Sequence, residues 1–510
     1  MAKTKLDKDL KRLSRMEYGA QDFARSLVPF GLALLFLVAA AIFAAFQVGV
    51  SGVWAIAVGA TVVGAYMALN IGANDVANNM SPAVGSRALT IGVAVMIAAV
   101  CEAAGAIIAG GDVVETVSKG IIDPSRMPGT EHFVIAMIAA LFAAALWINL
   151  ATWLNAPVST THSVVGGVLG GGVAMAGLGV ADWSVVASIV ASWVVSPVMG
   201  GAIAAGFLAY LKRSVYDAPD RLSAAALRVP LLVAIMVGAF SAYLMMKGLN
   251  QVLPVSFWMA LAVGLLLAVP TYFLVRPRVQ AKLARTGDGT YSLGDLFTIP
   301  VIGGAALLSF AHGANDVANA IGPLSAIHAA LRGGVAGGEV VLPFWILLVG
   351  AGGIAVGLAL FGPKLIRTVG SKITKLNRVR AFCVTLSAAI TVIIASALGL
   401  PVSSTHTAIG ALFGVGFLRE YFANQEREPS KRARIFRMDP PPDAMPIEDR
   451  GAVEMAKLRA KAEKQRKRYL VRRSHVFTIA AAWIITVPCS ALLAAVLARL
   501  LLWVGLGDLI

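Results

Sequence analysis

Gly72-Ala73-Asn74-Asp75-Val76-Ala77-Asn78 recurs letter for letter as Gly313-Ala314-Asn315-Asp316-Val317-Ala318-Asn319. Each copy closes a long apolar run. An Asp at the centre of a membrane helix costs about 2.5–3.5 kcal/mol. An ionisable residue placed twice at that cost marks a functional site. Asn and Asp also cap helices well, but a cap does not require six neighbours to match.

The setting is a bilayer. Of the 510 residues, 58% are apolar and 14% charged, and many apolar stretches approach the ~20 residues that span a membrane as helix. The short alternating strands of a membrane barrel are absent from the pattern. The expected fold is therefore an all-α, polytopic helical membrane protein of about 12–13 spans.

The net charge of +16 lies in short loops and one insert, a positive-inside distribution, and not on a nucleic-acid-binding face. Cys101, Cys383 and Cys489 sit far apart in apolar runs and read as free thiols. Lys3, Lys5, Lys8, Lys11, Arg12 and Arg15 precede an apolar run with no convincing cleavage site, so a retained first span is expected.

The chain divides into a basic cytoplasmic segment (1–27), an extra span (28–48), a first repeat (53–210), a linker with two spans (211–293) and a second repeat (294–418). A basic cytoplasmic insert (419–474) and a last span of the second repeat (475–510) follow. Within these, spans are expected at 28–48, 53–70, 91–110, 132–153, 162–180, 184–208, 229–249, 255–275, 296–312, 343–362, 382–400, 404–418 and 475–505. Counting crossings from a cytoplasmic N-terminus puts the basic loops 212–228, 276–295, 363–381 and 419–474 on one side. The span entering the first phrase then runs inward and the span entering the second runs outward. Inverted-topology repeats follow, and these are a transporter signature. Re-entrant hairpins at 132–180 and 382–418 leave that parity unchanged.

Three further blocks recur in the same order. Pro157-Val158-Ser159-Thr160-Thr161-His162 matches Pro401-Val402-Ser403-Ser404-Thr405-His406. The stretch from Gly105 to Ile121 resembles that from Gly357 to Ile373, and Trp193-Val194-Val195-Ser196 resembles Trp483-Ile484-Ile485-Thr486. The two Trp residues read as packing groups or interfacial anchors.

The Pro-Val-Ser phrase reads as a helix start at mid-membrane. Pro begins or interrupts a helix, and the hydroxyls that follow cap exposed N–H groups. A helix N-terminus is an anion site. Two of them would offer Ser159, Thr160, Thr161, Ser403, Ser404 and Thr405 to a small tetrahedral oxyanion. The plainer reading is Ser/Thr packing at a kink. The Asn-Asp phrase offers hard oxygens: Asp75, Asn74 and Asn78, then Asp316, Asn315 and Asn319. A carboxylate with amide oxygens suits Na⁺, and a carboxylate alone carries H⁺. His162 and His406 are open between proton carrier, phosphate donor and prop for the neighbouring Thr. Glu102, mid-span and without an acidic counterpart, reads as a coupling carboxylate or a satisfied packing residue.

The doubled Gly-Ala-Asn-Asp-Val-Ala-Asn with the doubled Pro-Val-Ser-x-Thr-His resembles the inorganic phosphate transporter (PiT) family, over about 53–210 and 294–505. The resemblance implies symport of inorganic phosphate, alone or as a metal complex, with Na⁺ or H⁺, on an inverted-repeat fold and as a homodimer. It carries Asn74, Asp75, Asn78, Asn315, Asp316 and Asn319 over as cation and phosphate residues, and the six hydroxyls as phosphate contacts. Some relatives carry sulfate. The extra span 28–48 and the insert 419–474 depart from the family pattern without touching a motif. The expectation is a multi-pass carrier of a bacterial-type inner membrane, in contact with its lipids. Neither a cofactor nor a permanent metal is expected. An anion channel and a Ser/His hydrolase are the rivals, but a hydrolase needs one nucleophile and not a doubled phrase.

Overall fold

A bilayer offers the backbone no hydrogen bonds, so a chain this apolar satisfies its own amides as helix. The computed structural model describes residues 5–49, 52–154, 156, 158–249, 253–284, 293–333, 342–372, 376–425 and 473–510. The helices are α1 Lys5–Val48, α2 Trp54–Gly85, α3 Ile91–Ala109, α4 Gly111–Glu115, α5 Thr130–Trp153, α6 Thr160–Ala176, α7 Trp183–Leu211 and α8 Arg221–Lys247. They continue as α9 Phe257–Ala284, α10 Thr298–Asp316, α11 Ala318–Leu331, α12 Phe344–Lys372, α13 Arg378–Ala397, α14 Ser404–Gln425 and α15 Arg473–Trp503. Eleven stretches among the described residues are long and apolar enough to cross a membrane. At 17 residues, α6 is a shorter helix.

Local sequence sets the boundaries. Asp182 caps α7 by accepting from the amides of Ser184 and Val185, and Asp220 caps α8 through Leu222 and Ser223. The Ser184 and Ser223 side chains, followed by these amides, hold Asp182 and Asp220 below the usual carboxylate range. Asn377 starts α13 in the same way, through the amide of Arg380.

Several boundaries differ from those the sequence suggests. The polar segment before residue 28 is helical from Lys5 and continuous with the first span. The expected span 53–70 continues as α2 through the whole Asn-Asp phrase to Gly85. The expected span 296–312 runs to Asp316, breaks at Val317 and resumes as α11. A run of polar residues need not end a helix when each side chain finds a partner inside the protein. The insert at 419–474 lies outside the described residues from 426 to 472, and so does Pro157.

The packing comes in matched pairs. α2 lies against α12, α3 against α10, α6 against α15, and α7 against α14. A methyl group on Gly72 would strike the Ile354 carbonyl, and one on Gly357 the Leu69 carbonyl, so α2 and α12 touch backbone to backbone. The other crossing repeats this. Gly313 meets the Glu102 carbonyl and Gly105 the Phe310 carbonyl where α10 crosses α3. Small residues permit such close approach where lipid supplies no hydrophobic drive between helices. In α2, α5 and α13 most residues of the apolar stretch are buried, whereas α1 and α9 face largely outward. Cys101, Cys383 and Cys489 are free thiols.

Candidate functional site

The middle of α2 and the break between α10 and α11 bring Asp75 and Asp316 into the interior, both fully buried. Into the same space point the N-terminal turns of α6 and α14. Ser159 is the N-cap of α6: its Oγ accepts from the His162 amide at 3.1 Å. Ser403 does the same for the His406 amide at 3.2 Å. The sequence phrase is thus a helix start, and these two hydroxyls are used in making it.

The remaining hydroxyls hold the carboxylates. Thr160 donates to Asp75 Oδ2 at 2.8 Å, and Ser404 donates to Asp316 Oδ2 at 2.7 Å. A second set crosses between the halves. Thr405 donates to Asp75 Oδ1 at 3.0 Å, and Thr161 Oγ1 stands 3.4 Å from Asp316 Oδ1 and 3.0 Å from the Val402 carbonyl. Asn78 Nδ2 donates to Asp75 Oδ1 and to Thr405 Oγ1, and Asn319 Nδ2 donates to Asp316 Oδ1 and to Thr161 Oγ1. Each carboxylate is therefore gripped by donors from both halves, and hydrogen bonds to an ionised acceptor are the strong kind.

Asn74 and Asn315 do a different job. Asn74 Nδ2 donates to Thr152 Oγ1 and the Ala156 carbonyl. Asn315 Nδ2 donates to Ser396 Oγ and the Leu400 carbonyl, and its Oδ1 accepts from the Val402 amide. Both tie the Asn-Asp helix to the turn that leads into the facing half-helix. Asn74 Oδ1 and Asn319 Oδ1 are buried and accept no hydrogen bond. A buried amide oxygen without a donor is costly unless something else, such as a cation, takes its lone pairs.

One residue at the centre was missed in the sequence. Nε2 of His312, on α10, lies 2.8 Å from Asp316 Oδ2 and 3.6 Å from Asp75 Oδ2, and its Nδ1 lies 3.2 Å from Glu102 Oε2. These are ion-pair distances, although neither ring nitrogen meets hydrogen-bond angles. Glu102 is fully buried and accepts from Asn79 Nδ2 at 2.8 Å, so it belongs to the centre. Asp75, His312 and Asp316 each present a ligand atom within 4.8 Å of the others. Oxygen-rich groups at that spacing can share a small cation.

His162 and His406 meet each other, rings edge to face with centroids 4.3 Å apart, and His162 also packs on Trp193 at 3.8 Å. They stand where α6 meets α14. The Trp483 side chain lies outside the described residues.

The chain is similar to known proteins over most of its length. Residues 71–494 match the phosphate transporter family. A Helicobacter pylori (strain J99) protein described as a phosphate permease is 44% identical, with 98% of this chain and 99% of that one covered. The chloroplastic inorganic phosphate transporter 2-1 of Arabidopsis thaliana is 40% identical over 70% of this chain and 65% of its own length. A solved structure described as the sodium-dependent phosphate transporter superposes with a TM-score of 0.73 at 32% identity. That match covers 88% of this chain and all of the other.

Proposed function

The chain belongs to the phosphate transporter family, and we propose that it is a secondary symporter that carries inorganic phosphate together with Na⁺, the Asp75–Asp316 centre holding the coupling ion. The observation that carries this reading is the double grip on each carboxylate. Thr160 and Thr405 come to Asp75 from opposite halves, and Ser404 and Thr161 come likewise to Asp316.

Electrostatics supports coupling. Two unit charges about 4 Å apart at an effective dielectric of about 20 interact by about 4 kcal/mol. A phosphate brought beside Asp75 and Asp316 meets that repulsion from each, and His312 supplies at most one positive charge. Cations bound with the anion offset the rest. Na⁺ fits the donor set, which is carboxylate, hydroxyl and amide oxygen, including the unsatisfied Asn74 Oδ1 and Asn319 Oδ1. The sodium dependence in the description of the similar solved structure points the same way. The phosphate would lie against the N-terminal turns of α6 and α14, where helix dipoles and backbone amides favour an anion.

The matched crossings of α2 with α12 and of α10 with α3 support two inverted repeats that rock about this centre. The hydroxyl bonds that cross between them are the contacts such rocking would make and break. Because Ser159 and Ser403 are spent as caps, the centre favours a carrier over a Ser/His hydrolase. The membrane would be a bacterial-type inner membrane with the N-terminus cytoplasmic, as the basic loops suggest.

The decisive measurement is uptake of radiolabelled phosphate into proteoliposomes, with Na⁺ and pH gradients imposed separately and sulfate as competitor. Accumulation driven by an inward Na⁺ gradient alone is expected. Accumulation driven only by a pH gradient would assign the centre to H⁺, and sulfate competing as well as phosphate does would overturn the substrate.

A further inference from the structure

One cleft occurs twice in the fold and is filled only once. At the α3–α10 crossing, Phe310 and Ala314 of α10 and Ala109 of α3 close on Tyr243, with Phe240 packed alongside, both from α8. The rings of Phe240 and Tyr243 stand edge-on to Phe310 at 5.1 and 6.2 Å. The repeated phrases match Phe310 to Leu69, Ala314 to Ala73 and Ala109 to Phe361. Those three residues line a cavity of about 910 Å³. In place of α8, this cleft has α1, which contributes Phe30, Ala33 and Leu34 but does not fill it. Phe30 and Leu34 are exposed, so the cavity opens to the surface that a bilayer covers.

The two clefts differ in charge as well. Lys364 and Arg367 line one end of the cavity, and both are exposed. The matching positions of the filled cleft are Asp112 and Glu115. Apolar walls under a cationic rim suit a molecule with an acyl chain and an anionic head. Bare phosphate would gain nothing from the walls. The volume lies within the range of about 300–1,000 Å³ typical of small-molecule sites.

We propose that this cavity binds an anionic phospholipid, its chain lying where Phe240 and Tyr243 lie in the other cleft and its headgroup on Lys364 and Arg367. The inference rests on the chain's sitting in a bilayer and does not depend on what is transported. The cavity's inner wall includes Thr152, which accepts the hydrogen bond of Asn74. The lipid therefore packs one residue away from the carboxylate centre.

The test uses the full chain purified from mixed phosphatidylglycerol and phosphatidylcholine bilayers, with the retained lipids quantified by mass spectrometry. Wild type should retain phosphatidylglycerol several-fold above its share of the bilayer. Lys364→Ala with Arg367→Ala should bring the ratio back to that of the bilayer. Ala33→Phe, which fills the cavity, should reduce the retained lipid of both kinds. Excess inorganic phosphate should not displace the lipid. Retention at the bilayer ratio by wild type, enrichment that survives the charge variant, or displacement by phosphate would each overturn the assignment. If Ala33→Phe fails to fold, the charge variant and the phosphate arm still decide.

Discussion

Glu102 Oε2 lies 3.2 Å from Nδ1 of His312, both side chains fully buried, and neither residue has an ionisable counterpart in the other half. The matched phrases place Ile71 opposite His312 and Ile354 opposite Glu102. Asn79, which donates to Glu102, is matched by Ala320. At the matched positions the α3–α10 crossing is thus polar, and its symmetry mate, the α2–α12 crossing, is apolar. Removing one partner of a buried pair costs about 3–5 kcal/mol, because the other charge is left without an offset. His312→Ile and Glu102→Ile, each copying the apolar crossing, should each lower the melting temperature of the purified protein in Na⁺ buffer. The double variant should melt well above the sum of the two losses, with a coupling of about 0.5–3 kcal/mol. Additive losses would show that the two side chains do not act as a pair.

The carboxylates call for a sharper change. Asp75→Asn keeps the shape but replaces one acceptor oxygen with a donor, which then faces either Thr160 at the Oδ2 position or Thr405 and Asn78 at the Oδ1 position. A phosphate-only site would gain affinity on losing a negative charge. A coupling site loses its ion. Asp75→Asn and Asp316→Asn should therefore abolish gradient-driven accumulation, or raise the half-saturating Na⁺ concentration at least about tenfold, a change of about 1.4 kcal/mol. Unchanged Na⁺ dependence in both variants would make the two residues structural.

Much of this centre was legible because identity between the halves reveals what both halves share. Asp75 with Asp316, Thr161 with Thr405, and the caps Ser159 and Ser403 all came from repeated letters. The same method hides whatever the halves do not share. His312 stands just outside the seven-residue phrase, and its counterpart is an isoleucine. Its signal was a lone His in an apolar run, one helical turn before Asp316. Helix continuity through the first Asn-Asp phrase was also hidden. A linear reading sees polar residues ending a span, whereas the facing half-helices satisfy them. Which way each hydroxyl points depends on how α6 and α14 meet α2 and α10, and no local pattern encodes that.

Thr161 and Thr405 test the link between the halves. Thr405 Oγ1 donates to Asp75 and accepts from Asn78, so Thr405→Val takes a donor from one group and an acceptor from the other. Loss of a charge-assisted bond costs about 1.5–3 kcal/mol. Both Thr→Val variants should raise the half-saturating Na⁺ and phosphate concentrations together, since the hydroxyl shapes the carboxylate beside which phosphate would bind. A change in phosphate affinity with Na⁺ affinity untouched would put the hydroxyl on the anion alone. Normal transport in well-expressed variants of both residues would remove them from the site.

The last prediction concerns the crossings that set the centre's geometry. At Gly72 an added methyl would collide with the Ile354 carbonyl, and at Gly105 with the Phe310 carbonyl. Both obstacles are backbone and cannot turn aside as a side chain can. The helices would have to separate, and strain of this kind costs about 1–3 kcal/mol or more. Gly59 is on the same helix as Gly72 but has nothing within 4 Å of an added methyl. There, exchanging Gly for Ala in a helix should stabilise by about 0.5–1 kcal/mol. Gly72→Ala and Gly105→Ala should therefore lower the melting temperature in detergent while Gly59→Ala raises it. Transport should fall with the first two even where protein is recovered, because Asp75 lies three residues from Gly72 and Glu102 three residues from Gly105. If Gly72→Ala melted like Gly59→Ala and transported normally, the backbone contact between α2 and α12 would not be what positions Asp75.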